Sequence, residues 1–114
     1  MLFLALIFKY YKNLPYHTMY DQLPLVNNQA TQSFEMLIDG ERAFIDYKKR
    51  GETYLLVHTE VPKALRGQGI AAILVEKTFR YLEAKNLKMI PYCAYVQSYL
   101  KKHPEWHRLI AEQA

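Results

Sequence analysis

The feature that most constrains this chain is a change of hydrophobic period across the segment Leu65–Ala71. Before it, a strand-like run ends at Val61, and after it apolar residues recur at helical spacing from about Gly69. Glycine adopts positive φ readily and lets a backbone approach a ligand closely, while a helix start offers free N–H groups and the positive end of a dipole. The segment is therefore predicted to be a loop that cradles an anion such as a phosphate or pyrophosphate.

Three strand candidates precede the loop and predict an antiparallel meander. They cover residues 34–38, 41–47 and 53–61. The first alternates apolar and polar residues, and the third is rich in β-branched and aromatic residues, which are both patterns typical of strands. Asp39-Gly40 predicts a tight turn after the first strand, and the polar segment 48–52 predicts a turn after the second.

The part of the chain after the loop predicts a parallel crossover. Residues 69–85 form an amphipathic helix in this prediction, because apolar and charged side chains occupy opposite faces. The apolar face carries Ala71, Val75, Thr78, Phe79 and Leu82. A strand over residues 88–93 would run parallel to the third strand through a right-handed connection. Short helices over residues 96–102 and 104–112 complete an α+β (mixed α/β) fold.

Length and composition favour one compact domain. The chain has 114 residues, of which 51% are apolar. Its net charge of +4 comes from scattered basic residues, which argues against nucleic-acid binding and suits a polyanionic cofactor. The single cysteine excludes an intramolecular disulfide, and no Cys/His spacing of a zinc site occurs, so we expect no metal and a reducing, cytoplasmic location.

Residues 1–25 are predicted to be an N-terminal extension, flexible or mis-assigned in its start, of a domain that covers residues 26–114. The apolar opening Met1–Phe8 is shorter than the ~20 residues of a membrane-spanning helix. It also lacks the basic leader and cleavage site of a signal peptide. We therefore expect no membrane span and no export; a tail that lies on a surface or docks a partner stays an alternative, as does translation from Met19.

Three separated blocks resemble a known family. The loop has the pattern Arg66-x-x-Gly69-x-Ala71, and His58-Thr59-Glu60-Val61-Pro62 runs directly into it. A third block follows the helix and contains Pro91-Tyr92-Cys93, with His103-Pro104-Glu105-Trp106 further on. Across roughly residues 34–109, the three blocks resemble the very small acetyltransferase domains of the GNAT superfamily that have a cysteine near the acyl site.

The resemblance implies a GNAT-like fold and an acetyl-coenzyme A-dependent N-acetyltransferase. In that family the two parallel strands splay apart, the pantetheine arm extends the sheet, and the pyrophosphate rests on the helix start. The binding residues implied for coenzyme A are Val61, Leu65, Arg66, Gly67, Gln68, Gly69, Ile70, Ala71 and Tyr99. The alternative is a non-catalytic module on the same scaffold that binds coenzyme A or a protein.

Cys93, Glu60 and His58 are the candidate catalytic residues. The cysteine would accept acetyl as a thiolate or return a proton to departing coenzyme A, and the competing interpretation is a buried structural residue. We expect direct transfer, because no helix start or cation beside Cys93 can be identified from sequence. Glu60 and His58 alternate along one strand and share a face, which makes them the candidate bases, whereas Thr59 on the opposite face is predicted to pack. The competing interpretations are that Glu60 caps the loop and that His58 is a structural, hydrogen-bonded residue.

The acceptor side is predicted to be open. Larger members of the superfamily place two helices between the first strands, whereas Asp39-Gly40 joins them directly here. The acceptor would then be an unidentified amine, which a peptide or protein could carry. Tyr92, Tyr95 and Tyr99 are predicted to pack in the core with their hydroxyls at its rim. The alternative is that they line an acyl or pantetheine slot, where, as the resemblance implies, a phenol could protonate the leaving thiolate. Oligomeric state is not predicted.

Overall fold

A five-stranded sheet in the order β1-β2-β3-β4-β5 frames the protein in the computed structural model, which describes residues 20–112. The strands are β1 (Val26–Asn28), β2 (Ser33–Ile38), β3 (Glu41–Arg50), β4 (Thr53–Glu60) and β5 (Lys88–Pro91). Strands β1 to β4 pair antiparallel, and β4 pairs with β5 in parallel. The predicted α+β fold, a meander followed by a parallel crossover, is confirmed. Most of the predicted N-terminal extension lies outside the described residues.

Two α-helices follow the meander. Helix α1 (Ile70–Ala84) connects β4 to β5, with Gly69 and Lys85 as its caps, in agreement with the predicted helix over residues 69–85. Helix α2 (Ala94–Lys102) begins two residues earlier than predicted. The last predicted helix is a 3₁₀ segment, Pro104–Leu109, and another short 3₁₀ turn, Lys63–Leu65, follows β4.

Helix α1 buries one face against the sheet. Its buried residues are Ile70, Ile73, Leu74, Val75, Thr78, Phe79 and Leu82. The Phe79 ring lies 5.8 Å from the Tyr99 ring on α2 and 5.6 Å from the Trp106 ring in the last 3₁₀ segment. Because Phe79 contacts both, one side chain joins α1, α2 and the C-terminal segment in a single core.

Strand β3 is longer than the sequence pattern indicated. Lys48, Lys49 and Arg50 were predicted to form a turn, but they pair with β4, and the turn contains only Gly51 and Glu52. The three basic side chains are exposed, so their charges stay in water while their backbones complete the ladder. Backbone pairing therefore outweighs the polar composition that suggested a turn.

A β-bulge in β4 reverses the side-chain alternation just before the candidate site. Tyr47 of β3 lies opposite Leu56, whereas the preceding Asp46 lies opposite His58, so Val57 is an extra residue. Beyond the bulge Thr59 lies opposite the fully buried Ile45. Thr59 therefore faces the helices.

Two further observations concern the described residues as a whole. Within residues 20–112, no helix is both long and apolar enough to cross a membrane. In the same part of the chain, no three His, Cys, Asp or Glu side chains group in a way that would hold a metal ion.

Candidate active site

The parallel strands β4 and β5 separate at the candidate site. Their pairing ends at Leu56 and Pro91. Beyond that point the N–H groups of Tyr92 and Cys93 both donate to the Leu56 carbonyl, at 3.0 and 2.9 Å, and the chain turns into α2. The β4 segment 57–60 consequently has no strand partner on the β5 side among the described residues. This is the opening that the resemblance predicts.

A cavity of about 220 Å³ lies at this opening. Its lining residues are Thr59, Glu60, Val61, Arg66, Ala71 and Tyr95. They come from the end of β4, the loop before α1 and the first turns of both helices, so residues distant in sequence meet in one place. A larger groove of about 540 Å³ runs along the outer side of α1 near Asp21 and Lys77, but none of the predicted site residues lines it.

The loop before α1 presents unpaired backbone N–H groups. Gly67 and Gly69 have φ of 82° and 75°, and Gly69 is the N-cap of α1 without a side-chain cap. Among the residues described, no hydrogen bond engages the N–H groups of residues 67–71. A Cβ at either glycine would meet no described atom within 4 Å, so positive φ rather than crowding is what requires glycine there.

The backbone N–H groups in the N-terminal part of the predicted loop already have hydrogen-bond partners in the protein. The N–H groups of Leu65 and Arg66 donate to backbone carbonyls at 2.8 and 3.3 Å. The side chains of Leu65 and Ile70 are buried in the core. The free N–H groups are therefore confined to residues 67–71, a shorter segment than the predicted cradle over residues 65–71. Gln68 is held at its side chain, where Oε1 accepts a hydrogen bond from the Tyr20 hydroxyl at 2.6 Å.

Glu60 is engaged at both carboxylate oxygens. Oε2 lies 2.8 Å from Nε2 of His58, and Oε1 lies 3.8 Å from Nη2 of Arg66, which is an ion-pair distance. Arg66 also donates from Nε to the Val61 carbonyl at 3.2 Å. The prediction that His58 and Glu60 share a face is confirmed, and the two side chains contact each other.

Cys93 lies on the opposite side of β4 from that pair. It is 8% exposed and forms the N-cap of α2, and its Sγ lies 3.2 Å from Oγ1 of Thr59. No helix start beside Cys93 could be identified from the sequence, but α2 begins at Ala94. A helix N-terminus favours negative charge, and a hydroxyl donates to a thiolate or accepts from a thiol. Thr59, predicted only to pack, is thus a polar neighbour of the sulfur.

The sequence held one signal for this contact. Thr59 alternates with His58 and Glu60 along the strand. If the two bases lie on the outer face, Thr59 must therefore point toward the helices. The bulge at Val57 could not be predicted from the sequence. It reverses the side-chain alternation, so that Thr59 points to the side of the sheet where Cys93 lies.

The tyrosines of α2 divide between cavity and core. Tyr95 lines the cavity, and burial raises the pKa of its phenol. Tyr99 was assigned to coenzyme A binding, but it packs against Phe79, stacks on His103 at 4.2 Å and is not among the lining residues. Burial raises the pKa of Tyr99 to about 12, so its phenol stays protonated at neutral pH.

The side of β4 that carries His58 and Glu60 is open. Asp39 and Gly40 have φ of 51° and 77° and join β2 to β3 directly, without intervening helices. Both candidate bases remain accessible, with side chains 56% and 43% exposed. An amine can therefore approach them from the face opposite the helices, while Cys93 faces the helix side.

The fold and the site together define a small GNAT-like domain. A family model described as GCN5-related N-acetyl-transferase matches residues 33–109. Proteins called Protein NATD1 are similar: those of Xenopus tropicalis and Mus musculus are 35% and 33% identical over 81 residues, which is 68% of this chain and 74% of theirs. That of Danio rerio is 30% identical over 86 residues, covering 73% of this chain and 78% of its own. The chain belongs to the GCN5-related N-acetyl-transferase family.

Proposed function

We propose that this protein is an N-acetyltransferase that moves acetyl from coenzyme A to an amine. The observation that carries the proposal is the run of unpaired N–H groups over residues 67–71, at the start of α1 and beside the opening of β4 and β5. Amides in this arrangement bind phosphate groups well, because they add to the positive end of the helix dipole. Membership of the family supports the same donor.

The donor would lie along the opening. Its diphosphate would accept from residues 67–71, with Arg66 adding charge, and its pantetheine amides would pair with the free edge of β4 at residues 57–60. Val61 and Ala71 line the cavity between those two regions. The net charge of +4 favours the approach of such a polyanion.

The acetyl group would lie at the free edge of β4, with Glu60 and His58 toward one face of the sheet and Cys93 toward the other. An amine arriving from the open face attacks the thioester carbon, so that a C–N bond forms and the C–S bond breaks. Glu60, paired with His58, takes the amine proton. Cys93, on the helix side, returns a proton to the departing thiolate of coenzyme A. The open face suits an amine carried by a peptide or protein.

A non-catalytic module that binds coenzyme A is the second candidate. One observation favours it, namely that both oxygens of Glu60 are engaged in the protein without donor. Both candidates bind coenzyme A, so only turnover separates them. Acetylation of any amine in a panel of small amines and peptide N-termini supports the enzyme, whereas tight binding without turnover on every amine supports the module.

Acetyl-coenzyme A is expected to raise the melting temperature, with a shift that grows as the logarithm of its concentration. At one hundred times the dissociation constant the stabilisation is about 2.7 kcal/mol. A thermal-shift titration measures it, and ATP is the matched control because it shares the adenine and phosphates but lacks pantetheine. Equal stabilisation by ATP would mean general polyphosphate binding and would contradict a dedicated coenzyme A site.

Incubation with labelled acetyl-coenzyme A without an acceptor is expected to leave Cys93 unacetylated. We expect direct transfer because the sulfur is nearly buried and contacts Thr59, while the candidate base lies where an amine arrives. The position of Cys93 at the start of α2 is the argument for the covalent route. The outcome of this experiment therefore decides between direct transfer and transfer through an acetylated cysteine. Mass analysis is unambiguous because the chain has one cysteine. Acetyl on Cys93 that hydroxylamine removes would establish an acyl-enzyme.

A further inference from the structure

The geometry points to a link between donor binding and the candidate base. We propose that Arg66 holds Glu60 in the free protein and leaves it when a diphosphate binds to residues 67–71. The inference rests on the proposed function and adds regulation of the same site. Binding of the donor then releases the group that accepts the proton.

Arg66 is placed between the two functions. It directly precedes the unpaired N–H groups of residues 67–71, and it lines the cavity. Its side chain nevertheless turns back toward β4, where it contacts the Val61 carbonyl and the carboxylate of Glu60. Arg66, the residue directly before these N–H groups, is thus also the cation beside Oε1 of Glu60.

The contact between Arg66 and Glu60 is weak enough to be exchanged. The two atoms are 3.8 Å apart, and the side chains are 63% and 43% exposed. Exposed ion pairs of this kind contribute little to the stability of the protein, because water screens the charges and two long side chains must be ordered. A phosphate accepts charge-assisted hydrogen bonds from guanidinium that are shorter and often bidentate. A bound diphosphate therefore competes successfully for Arg66.

The exchange changes what Glu60 can do. In the free protein Oε1 faces Arg66 and Oε2 is bonded to His58, so both oxygens are engaged. Once Arg66 moves to the diphosphate, Oε1 is left without a cation and is the better proton acceptor. Because linkage is reciprocal, Glu60 must weaken diphosphate binding to the same extent that the diphosphate frees Glu60.

A double-mutant cycle measured by calorimetry tests this competition. Coenzyme A is titrated into the wild type, Glu60→Gln, Arg66→Gln and the double variant. Glu60→Gln is expected to tighten coenzyme A binding about two- to fivefold when Arg66 is present, since the competitor is gone. In the Arg66→Gln background the same change is expected to have no effect, and Arg66→Gln alone weakens binding.

Two controls separate competition from general charge. Asp46→Asn removes a nearby carboxylate that lies opposite His58 on β3. Its described partner is Ser33, at 2.7 Å, and not Arg66, so affinity should stay unchanged if only competition for Arg66 matters. Pantetheine, which has no phosphate, should bind the wild type and Glu60→Gln alike. Tightening by Glu60→Gln that persists without Arg66 indicates simple repulsion and overturns the inference, as does no tightening at all.

The two proposals fail in distinguishable ways. A wild-type protein that does not bind coenzyme A defeats the proposed function and this inference together. Binding of coenzyme A with no coupling in the cycle defeats only the role of Arg66. Thermal melts of the wild type and the three variants of the cycle check that the fold is retained, which is expected because both substituted side chains are exposed.

Discussion

Glu60→Gln is expected to lower kcat for acetyl transfer about a hundredfold or more, the usual contribution of a general base. The amide has nearly the shape of the carboxylate but does not take up the amine proton. Affinity for coenzyme A should not fall, since Arg66 is released from its partner. The same substitution therefore has opposite effects on donor binding and on turnover, a combination that misfolding does not produce.

The measurement is kcat and KM on an amine that the panel shows to be acetylated. His58→Gln is the informative comparison, because a larger loss there would transfer the role of base to His58 and leave Glu60 to orient its ring. Asp46→Asn is the neutral control. Wild-type kcat in Glu60→Gln would eliminate this carboxylate as the base.

Phe79→Ala is expected to cost about 3–5 kcal/mol of unfolding free energy, which is the usual range for removing a buried phenylalanine ring. Phe79 is fully buried and contacts both Tyr99 and Trp106, so the cavity would open where α1, α2 and the last 3₁₀ segment meet. The total free energy of unfolding of a small domain is only about 5–15 kcal/mol. The substitution therefore removes a large share of the stability.

Urea unfolding followed by circular dichroism measures this loss. Leu37→Ala is the control, because Leu37 is an apolar side chain of β2 that is 63% exposed, and its truncation should change stability by only about 0.5 kcal/mol. A cost below about 1 kcal/mol for Phe79→Ala would contradict a shared core among the three segments. Faster alkylation of Cys93 in the variant would show that α2 depends on this support.

The elements that local pattern specifies were predicted well. Helix α1 follows from apolar residues at 3.6-residue spacing, and the turn at Asp39-Gly40 follows from residues that tolerate positive φ. The glycine loop before α1 was predicted because Gly67 and Gly69 lie between a strand and a helix, which are both local features. Its role in holding an anion stays a prediction. His58 and Glu60 were placed on one face by strand alternation alone.

The misses depend on partners distant in sequence. The pairing of Lys48–Arg50 depends on β4, and the early start of α2 follows a chain that bonds back to Leu56. The bulge at Val57 depends on the register between two strands. A segment of a few residues contains no sequence signal for any of these three features.

Sequence by itself determined the order of the elements and the position of the glycine loop before α1, because hydrophobic period and turn chemistry act over short stretches of chain. The acid and base roles of Cys93, Glu60 and His58 stay predictions. Only the tertiary structure decided that Thr59 contacts Cys93, that Cys93 occupies the N-cap position of α2, and that Arg66 reaches back to Glu60. The physical reason is that register, strand separation and side-chain direction depend on how the distant segments pack together.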